Sequence, residues 1–354
     1  MTGKKKVLVF TTDSVGGAER VSVTIGKMLR AHEYDVVFAV VRHGAANSTI
    51  TDFIPKGFSV IFIDDAGPIG MARKLIKTIS AVRPDYVFAS AMYLNTKILP
   101  FRFMFPRIKF IIRSENNVGM FNRRQLWQMR WSYRLADRII AQNREMKSGM
   151  TDLLGIPEDK IVVLHNPVDT QYIDEKVKDA VSPYSESESP VFVASGRFAY
   201  QKGFDVLANA FALVAKELPG AHLYILGDTD YEGGKVYRQI MEVAEANGIQ
   251  ERIHCPGFMT NPYPFIKYAD CFVLSSRMEG LPNVLVEAQY LNVPAAATTC
   301  IPIIKEIITD GVNGYWAGVD DEKSLAEAME KAVKLDNVTS GYTPSSEKDF
   351  VDLF

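Results

Sequence analysis

Glu279 and Glu287 stand eight positions apart in EGLPNVLVE, with Gly280 and Pro282 between them and an apolar run leading into the second. Pro282 suits the first position of a helix, where its missing N–H would have no intrahelical partner. A helix from Pro282 to Tyr290 would turn its positive end toward Glu279 and carry Glu287 about 7 Å further along the axis. Upstream, Arg197 follows the β-rich run VFVASG, and Lys202 comes five residues later. A planar guanidinium fork and an ammonium flanking one strand-to-helix loop can clamp a diphosphate. A nucleotide sugar needs acceptors for its sugar and ribose hydroxyls and cations or N–H donors in its middle, and these two segments supply both. For each pair taken alone, solvated surface charge is the competing reading. The turn SVGGAER places Gly16 and Gly17 at the start of another helix, where a backbone can approach an anion. It lacks the GxGxxG spacing, so a plain tight turn competes there.

The elements that must position these residues follow from hydrophobic patterning. KKKVLVFTT, DVVFAVV, VIFID, DYVFAS, FIIRSE, RIIAQN and IVVLHNPVD are short β-rich runs separated by stretches of helical length. After KVKDAVSPYSESESP, rich in Ser, Pro and charge, the pattern restarts with VFVASGR, HLYILGD, IHCPGF, CFVLSS and AAATT. Strands alternating with helices predict parallel, doubly wound α/β sheets whose ligand crevices lie at the strands' carboxyl ends. The expected organisation is a first Rossmann-like domain over 1–175, a linker at 176–189, a second over 190–345, and a helix over 346–354 returning to the first. Two such domains would face each other across a ligand cleft.

With 354 residues, 47% hydrophobic and 23% charged, the chain has enough apolar material for two cores, and disordered or disulfide-dense classes are excluded. Cys255, Cys271 and Cys300 show no zinc spacing and read as thiols in a reducing compartment. No apolar run is long enough for a membrane span, and Lys4–Lys6 leads into a strand and not into a signal-peptide core, so a cytoplasmic protein is expected. The net charge of −2 conceals an excess of +8 between Lys97 and Arg138, ten Lys/Arg against Glu115 and Asp137. Within it, Arg123, Trp127, Arg130, Trp131 and Arg134 would share one broad helix face. One reading is a core helix with buried aromatics and solvated arginines. The preferred one is an interfacial surface for anionic lipid, since tryptophan suits the headgroup boundary. Nucleic acid is disfavoured, because no nucleic-acid module accompanies the patch.

SGRFAYQKG, NPYPFIKYADCFVLSSRMEGLPNVLVEA and ITDGVNGYW, with GGAER, ADRIIAQN and NPVD, resemble the retaining glycosyltransferases of family 4 over nearly the whole chain. The resemblance implies the GT-B fold and a hexosyltransferase that moves sugar from a nucleotide-diphosphate donor with retention. It implies catalytic roles for Glu279, Arg197 and Lys202, with Glu279 on the donor sugar, Glu287 on the ribose, and Arg197 and Lys202 on the diphosphate. The wider donor set is Gly16, Gly17, Gly257, Phe258, Gly280, Leu281, Asn283 and Val284. Its likeness to bacterial polysaccharide and glycolipid enzymes points to UDP donors, an N-acetylhexosamine among them, and to a saccharide or lipid-linked acceptor. Neither a metal nor another cofactor is expected, and the basic stretch implies a peripheral enzyme on the cytoplasmic leaflet.

The chain departs from the family at RSENNVG, where Asn116 stands in place of an expected histidine, so Glu115 and Asn116 are acceptor-side candidates without a catalytic role. It departs again at TTCIPIIKEII, where paired glycines are common. His32, His43, His165, His222 and His254 read as structural. A nucleotide-sugar epimerase and a catalytically silent sugar-binding scaffold are the rival readings, and a dehydrogenase is disfavoured by the missing GxGxxG.

Overall fold

The computed structural model describes residues 4–42, 50–64, 66–336 and 338–354. His43 lies outside them. The chain divides into two units, 1–168 with 344–354, and 169–343.

In the first unit, seven parallel strands form one sheet: β1 (Lys6–Thr12), β2 (Asp35–Arg42), β3 (Ser59–Asp64), β4 (Tyr86–Ala89), β5 (Lys109–Arg113), β6 (Arg138–Ala141) and β7 (Ile161–Val163). Their order is β3-β2-β1-β4-β5-β6-β7, so the direction of winding reverses between β1 and β4. The central strands are apolar on both faces, as burial under helices on each side demands: Val7, Leu8, Val9 and Phe10 are all buried. Phe350 and Phe354, from the end carrying the helix Glu347–Val351, pack in the same core as Val7, Phe38 and Phe88.

The second unit repeats the plan with β8 (Val191–Ser195), β9 (His222–Leu226), β10 (Ile253–Gly257), β11 (Cys271–Leu274), β12 (Ala295–Thr298) and β13 (Gly314–Ala317), in the order β10-β9-β8-β11-β12-β13. Its reversal lies between β8 and β11. Crevices at such reversals, beyond the carboxyl ends of the strands, are where open α/β sheets bind ligands.

Three details depart from the expectations above. Pro282 precedes the helix as its cap, and the helix proper runs Asn283–Tyr290. The helix over the basic stretch spans Arg123–Ser132 and gives way to a 3-10 turn at Tyr133–Leu135, so Arg134 lies beyond it. The stretch 176–189 packs on the second unit and is not a free connector. Its tyrosine supplies the reason: Tyr184 donates to the Phe265 carbonyl at 2.5 Å, and its ring meets those of Tyr224 and Phe265.

Candidate active site

The loops after β8 and β11 straddle the reversal of the second sheet and are bound to each other. Gly203, in the left-handed region at φ 61°, ends the β8 loop and starts the helix Phe204–Glu217. A Cβ there would sit 2.2 Å from the Ser275 carbonyl oxygen, so only glycine lets the loops approach this closely. The contact is closed by Ser275 Oγ donating to the Lys202 carbonyl at 2.8 Å and by the Arg277 N–H donating to the Gln201 carbonyl at 2.7 Å.

Across this junction Lys202 Nζ donates to Glu279 Oε1 at 2.6 Å, and Ser276 Oγ donates to the same oxygen at 2.6 Å. Both bonds fall on Oε1, which leaves Oε2 to accept from a ligand hydroxyl. Arg197 is exposed at the carboxyl end of β8, its guanidinium 5.6 Å from the centre of the Tyr231 ring. It has no carboxylate partner among the described residues and can swing onto an anion. Leu281 is buried, Asn283 and Val284 open the following helix, and Glu287 is buried further along it. Gly257 ends β10 at φ 89°, its carbonyl accepting from the Gly227 N–H at 3.0 Å, and Phe258 beside it is exposed. The second unit thus gathers Arg197, Lys202, Glu279, Gly280 and the start of the 283–290 helix at one sheet end.

Arg277 holds this arrangement, and nothing in its sequence spacing marked it. Its two terminal nitrogens donate to Asp205 Oδ1 and Oδ2 at 2.8 and 2.7 Å, and its Nε donates to Asp320 Oδ1 at 2.6 Å. It also donates to the Tyr200 carbonyl at 2.8 Å and lies 4.1 Å from the centre of that ring. One side chain therefore ties the loops after β8, β11 and β13 to the first turn of the Phe204–Glu217 helix. Cys300, beyond β12, feels this site: burial and the Glu279 charge push its thiol up to about 12.

In the first unit Gly16 caps the helix Gly17–Ala31, and the Glu19 carboxylate in its first turn accepts from Thr12 Oγ1 at 2.6 Å and Ser14 Oγ at 2.9 Å. That carboxylate already complements the helix end at which an anion was expected. Glu115 Oε1 accepts from the Met92 N–H at 3.3 Å, and the Asn116 carbonyl accepts from Ser114 Oγ at 3.2 Å. Beneath them lies a fully buried arginine that the sequence reading passed over. Arg113 donates to Ser90 Oγ at 2.8 Å and to Asn166 Oδ1 at 3.0 Å, linking the loops after β4, β5 and β7. Burial lowers its pKa to about 10, opposed by the charges of Glu115 and Glu19. Hence each sheet has an arginine pinning the loops at its carboxyl edge.

Two family models match the sequence: "Glycosyltransferase Family 4" over residues 15–172 and "Glycosyl transferases group 1" over 177–346. The chain belongs to glycosyltransferase family 4. It is a retaining hexosyltransferase type of enzyme that uses a nucleotide-sugar donor. This glycosyltransferase is 26% identical to an uncharacterized glycosyltransferase of Methanocaldococcus jannaschii over 78% of each chain. It is 22% identical to the N-acetylgalactosamine-N,N'-diacetylbacillosaminyl-diphospho-undecaprenol 4-alpha-N-acetylgalactosaminyltransferase of Campylobacter jejuni, over 59% of this chain and 54% of that protein. Its fold matches Anabaena HepE, solved in complex with UDP-glucose, with a TM-score of 0.76 and 17% identity over 93% of this chain and 91% of that one. The fold is GT-B. Among the described residues, no helix of this glycosyltransferase is long and apolar enough to cross a membrane.

Proposed function

We propose that this glycosyltransferase transfers a sugar from a UDP-sugar to a hydroxyl of a lipid-linked saccharide, in the assembly of a cell-surface polysaccharide. The observation that carries the donor half is the junction of the β8 and β11 loops, where Lys202 and Glu279 meet beside an exposed Arg197. In this reading Arg197 and Lys202 hold the diphosphate and stabilise the charge it gains as the glycosidic bond lengthens. Glu279 Oε2 accepts from a sugar hydroxyl, and Glu287 serves the ribose. The departing phosphate takes the acceptor proton on the same face of the sugar, which retains configuration. The HepE complex supports the choice of UDP. An N-acetylhexosamine is the proposed sugar, in keeping with the name of the Campylobacter relative.

The acceptor half rests on the basic face of the first unit. Trp127 and Trp131 are 70% and 54% exposed, and Arg123, Arg124 and Arg130 are exposed on the same helix. The alternative of a core helix with buried tryptophans is therefore wrong for this segment. Phe103 and Met104 are 72% and 56% exposed in the same basic stretch. A groove of about 710 Å³ runs between the helices Met92–Ile98 and Arg123–Ser132, lined by Tyr93, Lys97, Arg124, Trp127 and Trp131. It reaches Met92, whose N–H bonds Glu115. Aromatic rings with interspersed cations fit the boundary of an anionic leaflet, at about 1 kcal/mol per basic residue. The groove would lead a lipid-borne saccharide toward Glu115 and Asn116, on the cytoplasmic face of the membrane.

Calorimetry with UDP- and GDP-sugars tests the donor: UDP-sugars should bind, and Arg197→Ala should weaken UDP by about 1.5–3 kcal/mol. Equal binding of UDP by the folded mutant would sink the clamp. Liposome co-sedimentation tests the membrane face. Binding should require anionic lipid, fall with salt, and drop in the Arg123/Arg124/Arg130 triple alanine variant. Equal pelleting with neutral vesicles, or none with either, leaves a soluble acceptor.

A further inference from the structure

Three side chains converge at the amino ends of the second sheet, the opposite end of the strands from Arg197, Lys202 and Glu279. His222 opens β9, His254 is the second residue of β10, and Glu188 lies three residues before β8. Parallel register brings them together by pairing Val191 with His222 and Tyr224 with His254. His222 Nδ1 lies 2.9 Å from His254 Nε2 and 4.0 Å from Glu188 Oε1. One nitrogen of each imidazole and one carboxylate oxygen fall within 4.8 Å of one another, the one such cluster among the described residues.

We propose that Glu188, His222 and His254 form a binding site for a divalent transition-metal ion, zinc being the best match, with water as the fourth ligand. Two imidazoles and a carboxylate suit zinc, whereas magnesium and calcium would require an oxygen set. Zinc–nitrogen bonds of about 2.0–2.1 Å set two tetrahedral nitrogens about 3.3 Å apart. The histidine pair therefore opens by a few tenths of an ångström, and the carboxylate closes by somewhat more.

The surroundings orient these ligands as second-layer groups do in metal sites. Tyr224 donates its hydroxyl to Glu188 Oε2 at 2.9 Å, which leaves Oε1 on the histidine side. The same ring stacks on His254 with centroids 4.3 Å apart and planes 21° from parallel. The ion would clip the segment entering β8 to the starts of β9 and β10. Its position at the far end of the strands makes it a structural clip, outside the transfer chemistry.

The competing state is a histidine pair sharing one proton, with no ion. Calorimetric titration of the metal-stripped full-length chain with zinc chloride near neutral pH separates the two. The expected result is one zinc per chain, a melting temperature raised by zinc and restored by chelator, and tetrahedral cobalt(II) bands on substitution. His254→Gln keeps a hydrogen-bonding partner for His222 but should lose zinc affinity by about 100-fold or more, and Tyr224→Phe by about ten-fold. Glu188→Gln is the second variant should His254→Gln fail to fold by circular dichroism. A wild-type chain that takes up no stoichiometric zinc, or a folded ligand variant that binds it equally well, overturns the proposal.

Discussion

Lys202 and Glu279 are joined by a 2.6 Å ion pair, so the cation proposed for the diphosphate and the carboxylate proposed for the sugar are also each other's partners. A phosphate that takes Lys202 must compete with Glu279. Glu279→Gln should therefore slow transfer by about ten-fold or more while leaving UDP affinity unchanged or a few-fold tighter. Lys202→Ala should weaken UDP by about 1.5–3 kcal/mol. Calorimetry beside initial-rate kinetics decides it, and equal losses of UDP affinity in both variants would show the division of labour to be wrong.

Arg277→Ala removes the fork on Asp205 and the tie to Asp320. The folded Asp205 carboxyl titrates below its ordinary 3.8: burial pushes it up, but the Arg277 hydrogen bond and charge more than offset that. A depressed acid binds fewer protons folded than unfolded, so its contribution is complete above the unfolded value and is lost as pH falls through the folded one. The variant should lose about 2 kcal/mol at neutral pH, a gap that narrows once pH drops below about 4. Arg277→Lys should recover little, since an ammonium cannot reproduce the fork. Urea titrations across pH read both effects.

At Gly203 the test is steric. A methyl group would meet the Ser275 carbonyl oxygen at 2.2 Å in a left-handed backbone that already disfavours side chains. Gly203→Ala should cost about 2 kcal/mol or more and separate the two loops. UDP affinity should fall with stability, whereas a neutral substitution in both assays would mean the loops reach each other another way.

For Arg113 the expected signature is structural. Replacement by Met removes the guanidinium donor to Asn166 Oδ1 and Ser90 Oγ and its links between three loops in a buried setting. A loss of about 3 kcal/mol is expected. Nucleotide affinity should stay unchanged in the folded fraction, because Arg197 and Lys202, the proposed diphosphate clamp, lie in the other unit. Chemical denaturation and calorimetry on the same preparation check this pair of outcomes.

The strands were largely legible from patterning, because short runs such as VFVAS and CFVL are buried on both faces and bounded by turn residues. β13 was not. It is a four-residue edge strand with Tyr315 and Trp316 half-buried, and it opens at Gly314, whose small size matters only against the Ala295 carbonyl oxygen 2.2 Å from a would-be Cβ. The spacing of Arg197 and Lys202 places both in one strand-to-helix loop, and the structure has them there, Arg197 exposed and Lys202 half-buried. Arg113 and Arg277 escaped notice for a physical reason. Their partners, Asn166, Asp205 and Asp320, lie 53, 72 and 43 residues away and meet them only once parallel strands bring the loops to one edge. His222 and His254 stand 32 residues apart, and their juxtaposition likewise depends on strand register.

Phe350 and Phe354 are seated in the core of the first unit, and 175 residues of the second unit are interposed between Val168 and Pro344. At roughly 5–20 residues per second a ribosome takes about 9–35 s to make that insertion. For that interval the first seven strands exist without the two phenylalanines that finish their packing. The second unit, contiguous in sequence, can complete itself first. A nascent chain of this enzyme therefore carries an open apolar slot in its first unit for that interval, and the slot closes only once 344–354 have been made.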